Sequence, residues 1–117
     1  MKTLIAALVL ASVSVAAQAE FVSAPQLADW LAEAQKSGGS FKDRTLALGY
    51  VSGVHDAFER SEICTPDGTS GKILLKSVRD WMIANPDRWP AGGALTVRRA
   101  LAETYPCTEA PDASSRR

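Results

Sequence analysis

The stretch Leu46 to Cys64, LALGYVSGVHDAFERSEIC, constrains this chain more than any other. At 100° per residue its apolar positions (Leu46, Ala47, Leu48, Tyr50, Val51, Val54, His55, Ala57 and Phe58) cover about half the helix surface or more. A helix apolar over so much of its girth has to touch neighbours on several sides, so it reads as the central helix of an all-α fold. Its small polar arc holds Gly49, Ser52, Gly53, Asp56 and Glu59. Each glycine costs a helix roughly 1 kcal/mol relative to alanine. Gly49 and Gly53 therefore predict close helix packing, by another backbone within the fold or across a subunit interface. The helix then runs into Cys64, one of two cysteines.

The first residues read as a targeting segment. Met1-Lys2 gives a positive start, Leu4 to Val15 is an apolar run, and Ala17-Gln18-Ala19 has the A-x-A cleavage form. The run is too short for a membrane span, which needs about 20 residues. Residues 1–19 are thus expected to be a cleavable signal peptide and the mature chain to work in the periplasm, with no membrane span left. The whole chain has 13 basic and 13 acidic side chains, and loss of Lys2 tips it by one toward acid. That balance gives no electrostatic case for nucleic acid or an anionic membrane. In an exported chain, Cys64 and Cys107 are expected to form one disulfide. The loop it closes is long enough for about 4 kcal/mol of chain-entropy stabilisation. Two isolated cysteines lack the paired spacing of a zinc site.

Four helices are legible. The first starts near Ser23, where Ser23 with Gln26 has capping-box spacing and Val22 with Leu27 the spacing of a hydrophobic staple. Leu27, Trp30, Leu31 and Ala34 form its inward stripe. The second starts near Phe41, with Ser40 and Asp43 as a cap pair, and is expected to end at Ser61 or Glu62. Cys64 to Gly71 reads as a loop turned by Pro66-Asp67-Gly68. The third spans about Lys72 to Ala84, with Ile73, Leu74, Leu75, Val78, Trp81 and Met82 inward. Lys72, Lys76 and Arg79 line its other face. Asn85-Pro86 stops it, and a short rigid connection to Pro90 carries Trp89. The fourth runs from about Gly92 to Thr104 or Tyr105, with Ala94, Val97, Leu101 and Tyr105 inward. The expectation is a four-helix bundle-like domain over residues 20–107, stapled by one disulfide, with a disordered tail at 108–117.

Little in this pattern points to catalysis. His55-Asp56 is a lone pair of chemical groups in mid-helix, where adjacent residues point in different directions. A single histidine rules out a His-rich metal site, no serine stands in a nucleophile motif, and no strand precedes a phosphate loop. The chain reads as a binding protein and not an enzyme, with no cofactor and no metal. The basic face of the third helix either holds an acidic partner or is a solvated face. Trp89, between Arg88 and Pro90, is either an exposed hot spot, where tryptophan and arginine are enriched, or a core anchor folded over the bundle.

The run Gly49-Tyr50-Val51-x-Gly53-Val54-x-Asp56-Ala57 is followed by Cys64-x-Pro66, Asn85-Pro86, Arg99-Ala100-Leu101 and Tyr105-Pro106-Cys107. In that order the motifs resemble the Rap/Tai family, periplasmic immunity proteins against amidase effectors of type VI secretion systems. The resemblance implies a disulfide-bonded helical domain, commonly a homodimer. It also implies binding to a peptidoglycan amidase, with a protruding segment blocking a cysteine-protease-like active site. Tyr50, Asp56, Pro66 and Pro106 belong to the family motif. As partner-binding residues the sequence offers Arg88 and Trp89 in the Asn85–Pro90 connection, with the Cys64–Gly71 loop as competitor. Two other functions fit a small exported helical chain. One is an acid-stress chaperone of the HdeA type, though the lysine-rich ends of that group are missing. The other is a periplasmic binding module of unknown ligand.

Overall fold

The computed structural model describes residues 21–108. The expected signal segment 1–19 lies outside these residues, and so does the expected tail apart from Thr108. Four helices follow in order: α1 (Ala24–Gln35), α2 (Phe41–Phe58), α3 (Gly71–Ala84) and α4 (Gly93–Thr104). The α3–α4 connection also holds a single 3₁₀ turn, Pro86–Arg88.

The helix starts follow from short-range chemistry. The Ser23, Ser40 and Ser70 hydroxyls accept from the backbone N–H of Gln26, Asp43 and Ile73, at 3.2, 3.2 and 3.3 Å. Each satisfies a donor that a helix leaves orphaned at its start. The expected staple closes α1 onto the core, where Val22 and Leu27 are both buried. A short antiparallel bridge joins the start of α1 to the start of α4: Ala24 donates to the Ala91 carbonyl and Gly93 to that of Val22.

Every pair of helices is in contact. The core is one cluster built from Leu27 and Leu31 of α1, Ala47 and Val51 of α2, and Ile63 of the following loop. Leu74, Leu75, Val78, Trp81 and Met82 of α3 and Val97, Ala100 and Leu101 of α4 complete it. Trp30 meets Tyr50 edge-on, ring centroids 6.0 Å apart, and ties α1 to α2.

Four expectations need correction. Helix α2 ends at Phe58, not Ser61 or Glu62, because Arg60 takes a left-handed backbone (φ 69°) that no helix continues through. Only Ala47, Val51 and His55 of α2 are buried, while Leu46, Leu48 and Ala57 are exposed. Its contacts are made by one stripe and its flanks, so a broad apolar arc is not the same as burial on all sides. On α3, Ile73 lies outward, 49% exposed.

The glycines of α2 are the fourth correction. A Cβ added at Gly49 or Gly53 would meet nothing within 4 Å, so neither packs closely inside the fold. Close approach belongs instead to Gly39, Gly71 and Gly93; at Gly93 a Cβ would stand 3.0 Å from the Val22 carbonyl oxygen and 3.2 Å from the Tyr50 ring. Opposite effects are therefore expected from the same substitution. Gly93→Ala should destabilise by about 1–3 kcal/mol through overpacking. Gly49→Ala should stabilise by up to about 1 kcal/mol, the helix-propensity difference. Thermal melts of the two variants check this; a destabilised Gly49→Ala would mean that another chain covers that face.

Candidate functional site

The sequence motifs converge on the corner where α2 ends, the following loop turns and α4 closes. The disulfide joins Cys64 to Cys107 across 43 positions. Around it Ile63 pairs with Pro106 in an antiparallel bridge, and Cys64 donates its N–H to the Tyr105 carbonyl at 2.9 Å. Ile63 itself is fully buried. The Tyr105 hydroxyl shares a 2.6 Å hydrogen bond with Ser77 Oγ of α3. Arg98 of α4 forms a bidentate pair with Glu62 and lies 4.3 Å above the Phe58 ring centroid. A paired, stacked arginine of this kind fixes orientation as well as charge.

His55 belongs to the same corner. It is buried, its Nδ1 is 2.9 Å from Asp56 Oδ1, and its Nε2 is 2.9 Å from Thr65 Oγ1. The sequence expectation that adjacent residues face apart did not foresee the Asp56 contact, and Thr65 was missed altogether. Thr65 is 5% exposed, and its hydroxyl gives the imidazole a partner across the α2–loop boundary. This makes His55 a positioning residue that ties the loop after the disulfide back to α2. His55, Asp56 and Glu59 each offer a ligand atom, all within 4.8 Å of one another. Both ring nitrogens are already engaged, however, and the two carboxylates are exposed, so the geometry reads as a hydrogen-bonded strut.

Beyond Thr65 the loop stands out from the bundle. Pro66, Asp67 and Gly68 are exposed, and Gly68 takes a φ of 80° that suits glycine in a turn. Thr69 closes the turn onto the Pro66 carbonyl, with its hydroxyl at 2.6 Å. Arg60 reaches Asp67 at 3.1 Å. The loop is thus pinned at one end by the disulfide and His55, and at the other by the Ser70 cap of α3.

Trp89 takes the other role the sequence allowed. It is half-buried against the core and donates its indole N–H to the Met82 carbonyl at 2.9 Å, as an anchor folded over the bundle. Arg88 is exposed but committed. It grips Glu103 with both amino groups, at 2.8 and 2.7 Å, and lies 5.4 Å from the Trp81 ring centroid.

Three carboxyls are held below the ordinary value of 4.5. Glu103 is lowered by Arg88 and then by the Trp81 indole N–H, Glu62 by Arg98, and Glu33 by the Ser40 N–H and then by Lys36. Carboxyls lowered in the folded state stabilise it fully above their unfolded value, and this contribution is lost as pH falls through the folded one. Stability is therefore expected to fall on acidification below about 4.5, and Glu62→Gln to flatten that slope, in melts recorded from pH 7 to 3. Such loosening alone would not mark a chaperone; only gain of holdase activity would.

Fold and corner define a class: a small all-α domain, stapled by one disulfide, whose motif residues hold a loop at a fixed place on its surface. A family profile described as Rap1a immunity proteins matches residues 23–107, the whole helical domain. The chain belongs to this immunity protein family. No curated protein sequence and no solved structure matches it. Among the described residues no helix is long and apolar enough to cross a membrane.

Proposed function

We propose that the chain is exported by residues 1–19 to the periplasm. There it binds a peptidoglycan amidase effector of a type VI secretion system and inhibits it by covering the active site. The observation that carries this reading is the family match over residues 23–107. The physical design agrees with it. Blocking a cleft calls for a fixed shape and no chemistry, and rigidity limits the entropy lost on binding.

The geometry shifts the favoured blocking segment to the exposed Cys64–Gly71 loop. Arg88 and Trp89 were the first choice from sequence, but Trp89 faces the core and Arg88 is held by Glu103. In this proposal they support the fold behind the interface. Homodimerisation, which the family resemblance implies, is also part of the proposal and is read by light scattering.

The test uses the mature chain as bait in periplasmic extract, followed by mixing with the captured protein. Capture of one cell-wall amidase, and loss of its hydrolytic activity on mixing, is the expected result. Pro66→Gly with Asp67→Ala should then weaken inhibition at least tenfold at a stability cost of about 1 kcal/mol, from the added freedom of the unfolded chain. An amidase that binds with its activity intact would contradict active-site blocking.

A further inference from the structure

Three surface grooves stand out, and their charge separates them. The groove between α4 and the Glu62 loop holds Arg98 and Arg99, but Arg98 is matched by Glu62, and Arg99 donates to the Arg88 carbonyl. The groove between α1 and α3, walled by Trp89, has one charge of each sign, Asp29 and Arg79. The third, of about 510 Å³, lies where the end of α1 meets the starts of α2 and α3. Its floor is Ala34, Leu48 and Leu75 and its rim carries Lys36, Arg44 and Lys72, with no carboxylate in the lining.

Two of those cations, Arg44 and Lys72, have no carboxylate partner among the described residues. Lys36 pairs with Glu33 at 2.9 Å, and Arg44 has only a 3.4 Å contact to the Lys36 carbonyl. Lys72 has no ion pair among the described residues. On the same helix Lys76, outside the groove, is held by Asp80 at 2.5 Å. The apolar floor is also open, with Leu48 43% exposed above the start of α3. In a chain with equal numbers of acidic and basic residues, the two cations without a carboxylate partner, Arg44 and Lys72, leave a local positive excess beside an open aliphatic floor.

We infer that this groove docks a segment of the effector that carries a carboxylate beside an aliphatic side chain. The aliphatic group fills the floor over Leu48 and Leu75, and the carboxylate sits between Arg44 and Lys72. Apolar walls with a few convergent charges are the usual composition of a binding concavity. Complementary charge there speeds encounter and fixes register. This deepens the immunity reading and rests on it: the Cys64–Gly71 loop covers the active site, and the groove seats a second point of contact.

The probe is the peptide acetyl-Asp-Leu-Leu-Glu-amide, titrated into ¹⁵N-labelled mature protein and followed by amide chemical shifts. Saturable shifts at Lys36, Leu48, Lys72 and Leu75 are expected. The lysine counterpart, acetyl-Lys-Leu-Leu-Lys-amide, should produce none there, and Arg44→Glu with Lys72→Glu should weaken the acidic peptide at least tenfold. Absent shifts, equal shifts with both peptides, or shifts mapping elsewhere would overturn the inference. So would groove amides that move on deletion of residues 109–117 or with protein concentration, since the occupant would then be this chain's own tail or a second copy. Protection against the effector in cells is read separately. A protein that protects yet ignores the peptide refutes the groove and leaves the immunity reading standing.

Discussion

Replacing Cys64 and Cys107 together by serine is expected to destabilise the domain by about 4 kcal/mol, the chain-entropy value for a loop of this length. Small domains have roughly 5–15 kcal/mol in total, so much of the margin goes with one bond. For a domain of this size the melting temperature should fall by roughly 20 °C. The local contacts argue for a cooperative loss. The Ile63–Pro106 bridge, the Cys64 to Tyr105 hydrogen bond and the Glu62–Arg98 pair all span the same corner. Without the bond, the chain end after α4 is free to leave, and the buried Ile63 loses its cover. Melts of the wild type with and without reductant, beside the double serine variant, measure this. An unchanged melt would show that the corner holds without its staple.

The second large effect is expected at Trp89. Trp89→Ala should cost about 2–3 kcal/mol, toward the low end for core aromatics because the ring is half-buried. Trp89→Phe keeps most of the apolar contact and removes the N–H that Met82 accepts, so about 1 kcal/mol is expected. If the ring were instead a contact to the partner, both variants would melt like the wild type and lose affinity. Denaturant unfolding paired with effector binding distinguishes an anchor from a hot spot.

The fold was legible because its signals are short-range. Serine caps at 23 and 40, proline stops at 86 and 106, and two cysteines in a chain expected to be exported gave four helices and a staple. What escaped needed tertiary neighbours. Gly49 and Gly53 look like packing glycines from spacing alone, but only their folded neighbours show that both are open and that Gly39, Gly71 and Gly93 are the close ones. The width of an apolar arc did not tell which part of α2 is covered. Buried Thr96, bonded to the Gly92 carbonyl at 2.8 Å, looks in sequence like any exposed helix threonine. The candidate site was half legible. The motif marked Asp56, Pro66 and Pro106, yet the strut from His55 to Thr65 crosses ten positions and has no local signature.

The most direct test of the immunity role is protection in cells. The amidase captured by the mature chain, sent to the periplasm, is expected to lyse the host. Co-expression of the full chain should restore growth, and the chain lacking residues 1–19 should not. Lysis that continues in the presence of the full chain, with amidase activity unchanged on mixing the purified proteins, would contradict the account.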